Sequence, residues 1–116
     1  MLENKTPVNK YTDYHAHVYF DASSRALAKN IYQEILDNFD LKIGTFHEKC
    51  VGPHPHWSFQ IAFQSKDFEH VIPWLDNKRK NLTVLVHALT GNDYQDHTEF
   101  AYWLGEPVKL ELSIFS

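Results

Sequence analysis

Polar and apolar residues alternate along residues 13–20, and this period-two pattern predicts a β-strand. Successive strand side chains point to opposite faces of a sheet, so Ala16, Val18 and Phe20 share one apolar face. The opposite face collects two imidazoles and a phenol, those of His15, His17 and Tyr19. A strand with a good apolar face to bury therefore also presents a group of side chains that can bind ligands or protons.

Two later segments carry apolar residues at the i, i+3, i+4, i+7 spacing of amphipathic helices. The first follows the N-cap candidates Asp21, Ser23 and Ser24. Its apolar stripe consists of Ala28, Ile31, Tyr32, Ile35, Leu36 and Phe39. The second is predicted over residues 66–79, with a stripe of Phe68, Val71, Ile72 and Leu75. Pro73 lacks a backbone donor, so we expect it to kink the second helix or to mark its real start.

Further strands and a short helix are predicted from the rest of the chain. Residues 42–49 form a second strand, residues 51–55 turn the chain, and residues 57–63 form a third strand that completes a hairpin. A β-branched fourth strand covers residues 82–89. A short helix is expected over residues 93–104, capped by Gly105. The alternation of Leu110, Leu112 and Ile114 predicts a final strand.

The order βαββαβ, followed by a short helix and one more strand, is the ferredoxin-like pattern of the α+β class. Each helix has one apolar stripe, so both helices should cover the sheet face that carries Ala16, Val18 and Phe20. The other face would keep a mixed set of side chains: His15, His17, Tyr19, Ser58, Gln60, Leu85 and His87. By analogy with other proteins of this architecture, we expect two copies to form a dimeric α/β barrel whose sheets enclose a cavity.

Composition adds few constraints. The 116 residues predict a polar tail over residues 1–12 and a single domain over residues 13–116. A formal charge of −4 and one short basic run, residues 78–80, argue against nucleic acid as a partner. Cys50 is the only cysteine, so no intrachain disulfide can form. The sequence shows no apolar run of membrane-spanning length and no signal-peptide pattern, so we expect a cytoplasmic protein without membrane contact.

Three of the eight histidines are predicted to meet on the mixed face. The first and fourth strands of a ferredoxin-like sheet are antiparallel neighbours, which places the beginning of one beside the end of the other. His15 and His17 lie near the beginning of the first strand, and His87 lies near the end of the fourth. Opposed strand residues have Cβ atoms about 4.5–5.5 Å apart, close enough for imidazoles to share a metal ion. The alternative is that all three are polar strand residues bonded to water or to one another.

Two other histidines have surroundings that indicate chemistry. His54 stands between Pro53 and Pro55, and such a rigid loop can aim a side chain; a turn that merely contains a histidine is the alternative. Period-two counting does not show which sheet face His54 takes, and simple register puts it nearer the end of the first strand. His97 follows the fourth strand and should return near His87, where it could act as a general acid or base or serve only in helix capping.

Six short motifs occur in order between about residue 13 and the C-terminus. They are His15-Ala16-His17-Val18-Tyr19-Phe20-Asp21, Gly52-Pro53-His54-Pro55, Leu85-Val86-His87, Thr90-Gly91, Asp96-His97-Thr98 and Trp103-Leu104-Gly105. Together they resemble the DOPA 4,5-dioxygenase family of small aromatic ring-cleaving proteins. Two positions depart from that family: Ala88 stands where it often has proline, and Asn92 where it often has aspartate. The resemblance implies a ferredoxin-like fold and extradiol cleavage of a catechol such as DOPA, with O₂ and a non-haem metal.

The resemblance also implies roles for individual residues. The implied ligands of a non-haem Fe(II), or of another divalent metal such as zinc, are His17, His54 and His87. The implied catalytic groups are His15, His97 and Tyr19, and the implied substrate contacts are Gln60 and His56. The common iron triad has two histidines and one carboxylate, which Asp93 or Asp96 could supply; an all-histidine site is the alternative.

Two other functions would use the same residues. A non-enzymatic homodimer could bind a metal or a small ligand in its cavity without redox chemistry. A cofactor-free oxidoreductase of the dimeric α/β-barrel type would use the histidines as proton shuttles. The sequence contains no Gly-x-Ser-x-Gly elbow and no glycine-rich phosphate loop, so a serine hydrolase and a nucleotide-binding protein are not favoured. Metal content, measured together with O₂ consumption on a catechol, distinguishes the three functions.

Overall fold

A computed structural model describes residues 5–115, in which five strands form one antiparallel sheet of order β2-β3-β1-β4-β5. In chain order the main elements are β1 (Asp13–Phe20), α1 (Arg25–Asn38), β2 (Lys42–Ile43), β3 (Trp57–Gln64), α2 (Phe68–Lys78), β4 (Val84–Ala88), α3 (Asp93–Asp96) and β5 (Ala101–Leu104). The predicted α+β class and the βαββαβ order through β4 are confirmed.

The sheet face that α1 and α2 cover holds the main apolar core. Ala16 and Val18, from the central strand β1, are fully buried against this layer. Ile31 and Ile35 of α1 and Leu75 of α2 complete the same cluster, because the apolar stripe of each helix faces the sheet. Burying an aliphatic side chain of this size contributes about 1.5–3 kcal/mol, so the cluster is a major source of stability.

The opposite face is covered by the chain's C-terminal segment, residues 108–115, which we call the strap. A second and smaller apolar cluster lies there: Tyr19, Leu85, Ala101, Trp103 and Leu110. Val108 and Leu112 of the strap pack against this cluster. The N–H of Glu111 donates to the carbonyl of Pro53 at 2.8 Å, which ties the strap to the loop before β3. One face of the sheet is therefore covered by α1 and α2, and the other is covered by the strap.

Two predicted elements near the C-terminus are wrong. The helix expected over residues 93–104 ends at Asp96, and residues 101–104 form β5, which pairs with β4. All four residues of β5 are buried, and so short an apolar run has no period that separates a strand from a helix. The expected final strand is also absent among the described residues; Leu110 of the strap packs into the smaller apolar cluster, and residues 112–115 form a 3-10 helix. Gly105, with φ at +84°, follows a strand instead of capping a helix.

Two other boundaries differ from the prediction. The second strand comprises only Lys42–Ile43, and its pairing with β3 resumes as a single bridge between His47 and Ser58. The helix α2 begins at Phe68, after a 3-10 turn over Ser65–Asp67, so Pro73 lies inside the helix and does not mark its start.

The described part of the predicted tail contacts the domain. The backbone carbonyl of Lys5 accepts the N–H of Trp103 at 2.7 Å, and the hydroxyl of Tyr14 donates to the Asn9 side chain at 2.9 Å. Residues 1–4 of that tail, and Ser116, lie outside the described residues. Within residues 5–115, none of the helices has the length and apolar character that crossing a membrane requires.

Candidate metal centre

Strand register sets the histidines side by side on the strap-covered face. His15 of β1 lies opposite His87 of β4, and His17 lies opposite Gln60 of β3. These side chains share the face that points away from α1 and α2, because strand residues alternate. His17 and His87 are buried, with 5% and 1% of their surface exposed, whereas His15 is half-buried. The predicted approach of the first strand's beginning to the fourth strand's end is thus confirmed.

His15, His17 and His87 form a group whose ligand nitrogens all lie within 4.8 Å of one another. The Nε2 atoms of His17 and His87 are 3.0 Å apart. Two imidazole nitrogens that bind one ion at right angles, each about 2.1 Å from it, lie about 3.0 Å apart. The ring of His15 is centred 5.8 Å from that of His17 and 5.5 Å from that of His87. The spacing of the His17 and His87 nitrogens therefore suits a shared divalent ion, and His15 is the third candidate ligand.

Burial keeps these imidazoles neutral, which is the form in which histidine binds metals. Burial, followed by the neighbouring imidazole of His97, lowers the pKa of His87 to about 3, although the hydrogen bond to the Ala88 carbonyl acts in the opposite direction. Burial also brings the pKa of His17 well below its ordinary value, and the surrounding histidines act in the same direction. The pKa of His15 is lowered by burial first and then by His97. At neutral pH each of the three imidazoles has a lone pair available for a ligand.

A backbone contact fixes the tautomer of His87. Its Nδ1 lies 2.8 Å from the carbonyl oxygen of Ala88, an atom that can only accept a hydrogen bond. Nδ1 therefore carries the proton, and Nε2 presents its lone pair toward His17. Metal-binding histidines in proteins usually have this arrangement, in which a second hydrogen bond orients the ring.

His54 reaches the same region from the loop before β3. Gly52 has φ at +54°, and the N–H of His54 donates to the carbonyl of Val51 at 3.0 Å, which closes a tight turn. The ring of His54 is centred 4.2 Å from that of His17, and its Nδ1 lies 2.6 Å from the hydroxyl of Tyr19. Burial lowers the pKa of His54 to about 4 and raises the pKa of Tyr19. The loop thus folds His54 over the strand, a position that strand register alone did not predict.

His97 approaches the group from the other side. Its ring is centred 4.1 Å from that of His87, and its Nδ1 donates to the carbonyl of Asp93 at 2.8 Å, which leaves Nε2 of the neutral ring as an acceptor. The turn that carries His97 is held by Asp96. The two carboxylate oxygens of Asp96 accept hydrogen bonds from the backbone N–H and the hydroxyl of Thr90, at 3.0 and 2.6 Å.

The two candidate carboxylates stand outside the ligand group. Asp93 is exposed, and the buried Asp96 is engaged by the loop that it holds. The metal-competent group found in the described part of the chain contains histidines alone. Of the predicted substrate contacts, Gln60 is half-buried on the same face, and His56 is exposed with its ring 5.8 Å from that of Tyr19.

A cavity of about 380 Å³ lies between β5 and the strap, and sequence reasoning did not find it. Lys5, Trp103 and Leu110 are among the residues that line it, together with His97. His97 therefore borders both this cavity and the histidine group. Apart from Lys5, its wall comes from residues 97–112, and the sequence was expected to form a helix and a strand there, so the cavity between β5 and the strap was not predicted. Phe115 of the strap, whose ring is centred 4.8 Å from that of His97, was missed for the same reason.

The chain is similar to one protein-family model and to several known proteins. The model of the Dopa 4,5-dioxygenase family matches residues 14–114. The crystal structure of a "putative dioxygenase" from Nostoc punctiforme is similar with a TM-score of 0.86 and 38% identity, covering 90% of each chain. An uncharacterized 21.2 kDa protein of Botryotinia fuckeliana is 34% identical over 110 residues. A DOPA 4,5-dioxygenase of Amanita muscaria is 29% identical over 110 residues.

The alignments differ in how much of each protein they cover. They include 84% and 87% of this chain, but 60% of the Botryotinia protein and 48% of the Amanita protein. The chain thus spans roughly half the length of the curated relatives it matches. The family match extends from β1 to the strap and includes every histidine of the group described above. On this match, the chain belongs to the Dopa 4,5-dioxygenase family.

Proposed function

We propose that this chain is a metal-dependent extradiol dioxygenase that opens the ring of a catechol. The observation that carries the proposal is the group of three neutral imidazoles on one sheet face, with two further histidines beside it. Family membership supports the reaction class, since the family takes its name from a dioxygenase and the Amanita relative is described as one. The substrate is proposed as a catechol in general, of which DOPA is one example.

For the metal ligands we propose His15, His17 and His87. Three imidazole nitrogens suit iron, zinc, copper or nickel, and we propose non-haem Fe(II) as the native ion, with zinc able to replace it in a purified sample. Such an ion, when bound, supplies open positions for a catecholate and O₂ and the electron exchange between them. The set expected from the family resemblance has His54 in place of His15 and shares His17 and His87. Separate His15→Ala and His54→Ala variants distinguish the two sets by metal content.

The other polar groups would manage protons. Tyr19 stays a phenol because burial raises its pKa, and its hydroxyl holds Nδ1 of His54 at 2.6 Å. His54 is thereby oriented over His17. We propose that its Nδ1–H donates to the Tyr19 oxygen and that its Nε2 takes a proton from the catechol. His97, with an acceptor Nε2 beside His87, is placed to exchange the second proton. Gln60, on the same face as His17, remains a proposed contact for substrate oxygens.

Two expectations about this site remain proposals. His56 is exposed and borders the Tyr19 ring, so it could contact the part of a substrate that extends past Tyr19. We also propose a homodimer in which two such sheets face each other, on the architectural analogy alone. Light scattering on purified protein would measure the mass and decide the oligomeric state.

The proposed function is tested by loading the protein anaerobically with Fe(II) and adding a catechol and O₂. Both oxygen atoms enter the product of an extradiol cleavage, so O₂ uptake should equal the amount of coloured ring-opened aldehyde formed. Bound iron without turnover on any catechol of a varied panel would contradict the proposal and favour a metal- or ligand-binding protein. Equal turnover in the metal-free protein would instead favour a cofactor-free oxidoreductase.

A further inference from the structure

The cavity between β5 and the strap has the size and the walls of a small-molecule site. Its volume of about 380 Å³ lies in the usual range for such sites, roughly 300–1,000 Å³. Trp103, Leu110 and Leu112 give it an apolar surface that suits an aromatic ring. His97 belongs to its lining and lies ring to ring with His87, so the cavity adjoins the proposed metal site. A molecule held here would have one end beside the histidines.

The charged side chains in the cavity's lining are both lysines, Lys5 and Lys109. The ammonium of Lys5 is held in place, since its Nζ donates to the carbonyl of Glu99 at 2.6 Å and lies 5.0 Å from the centre of the Tyr102 ring. Lys109 is exposed on the strap and free of that constraint. None of the described residues that line the cavity is acidic. The cavity therefore favours an anion and offers no carboxylate to a cation.

We propose that this cavity binds an aromatic molecule with a free carboxylate and discriminates against the corresponding amino acid. The carboxylate would pair with Lys5 and Lys109, as charge-assisted hydrogen bonds favour, while the ring packs on Trp103 and the leucines. An α-ammonium next to that carboxylate would lie near two lysines, in a cavity whose lining contains no acidic residue. That the ring is a catechol rests on the proposed function; the preference for an aromatic monocarboxylate rests on the cavity alone.

Binding is tested on the metal-free protein with three ligands that share one skeleton: 3-phenylpropionate, the neutral 3-phenylpropanol, and phenylalanine. Calorimetry should show 3-phenylpropionate binding about tenfold more tightly than 3-phenylpropanol, which lacks the charge-assisted contact, and about tenfold more tightly than phenylalanine, whose ammonium is repelled by the lysines. The indole N–H resonance of Trp103, assigned with a Trp103→Phe variant, should shift on binding. Equal affinity for the three ligands, or no binding of 3-phenylpropionate, would overturn the inference.

Lysine variants locate the contact. Lys109→Met should weaken 3-phenylpropionate binding by about tenfold and leave 3-phenylpropanol unchanged, and Lys5→Met should do the same. Lys109 is exposed, so its replacement does not threaten the fold even if the Lys5 variant proves unstable. Lys10→Met, at an exposed lysine outside the cavity, is the matched control and should bind like the wild type. A loss of affinity in the control equal to that in Lys109→Met would contradict the assignment.

Turnover separates this inference from the proposed function. With Fe(II) bound, 3-(3,4-dihydroxyphenyl)propionate should be cleaved with a kcat/KM about tenfold above that of DOPA, and Lys109→Met should abolish the difference. Catechol cleavage without any carboxylate preference would overturn the cavity assignment and leave the dioxygenase intact. Carboxylate binding without cleavage of any catechol would overturn the proposed function and leave the cavity assignment intact.

Discussion

The two faces of the sheet are built from the same strands, but one face holds the main apolar core and the other holds the candidate metal site. On the helix-covered face, Ala16 and Val18 of β1 pack into a large cluster to which both long helices contribute. On the strap-covered face, Tyr19 of the same strand belongs to a much smaller apolar cluster, and His17 is a buried polar residue. Alternation along one strand thus assigns neighbouring residues to different tasks. The candidate site therefore occupies the sheet face with the smaller apolar contribution to folding.

The strap-covered face avoids the penalty of buried polar groups by pairing them. His17 bonds to His87 and Tyr19 bonds to His54, at 3.0 and 2.6 Å. In residues 5–115, no buried polar side-chain atom lacks a hydrogen-bond partner. An unpaired buried polar group costs about 1–3 kcal/mol, so these contacts let the face hold its histidines before any metal binds. Substitutions on the two faces should therefore have separable effects.

The largest expected loss of stability is on the helix-covered face. Ile61 of β3 is fully buried opposite Ala16, and Ile61→Ala should lower the free energy of unfolding by about 2–5 kcal/mol through lost burial and a new cavity. Urea unfolding measures the change. The folded fraction should keep a full metal equivalent, because Ile61 points away from the histidines. Ile114→Ala, at a side chain 55% exposed, is the control and should change stability by less than about 0.5 kcal/mol.

On the opposite face, His17→Ala should have the opposite effect to Ile61→Ala, because it should impair metal binding and leave the main apolar core intact. A four-ligand structural zinc site is worth about 10–16 kcal/mol, or roughly 3 kcal/mol per ligand, so metal affinity should fall more than about a hundredfold. Zinc should raise the melting temperature of the wild type by mass action and leave that of His17→Ala unchanged. His70→Ala, at an exposed histidine on α2, is the control and should respond to zinc like the wild type. An unchanged metal content in His17→Ala would reject His17 as a ligand.

The sheet and its two faces were predictable because period two is a strong local signal. The alternation along residues 13–20 placed His15 and His17 on one face, and the antiparallel neighbour rule placed His87 near them; in the structure His87 lies opposite His15. Both inferences depend on strand geometry, which varies little between proteins. The α+β class followed from the same patterns, since each helix has a single stripe to bury.

The wrong predictions concern segments whose conformation is decided by tertiary contacts. Residues 101–104 were expected in a helix, yet they fill the free edge of β4 as a strand, because sheet pairing overrides a run too short to have a period. The strap's two leucines alternate like a strand although the segment crosses the face without pairing. The position of His54 depends on a turn and on the hydrogen bond from the strap's Glu111 N–H to the Pro53 carbonyl. The local pattern of polar and apolar residues encodes neither.

The smallest expected effect on stability, and the finest test of the comparison, comes from removing one hydroxyl on each face. Tyr19→Phe deletes the group that holds Nδ1 of His54 and keeps the ring in its apolar cluster. Metal content should stay at the wild-type level, stability should fall by about 1 kcal/mol, and kcat should fall about 10–100-fold because His54 loses its orientation.

Tyr32→Phe makes the same deletion on the helix-covered face, where the hydroxyl donates to the Gly44 carbonyl at 2.9 Å. This control should lose a similar 1 kcal/mol or so and keep its kcat, since nothing on that face handles protons. Equal kcat in the two variants would show that the strap-covered face needs its histidines for the metal alone, and would remove Tyr19 and His54 from the proposed proton transfer.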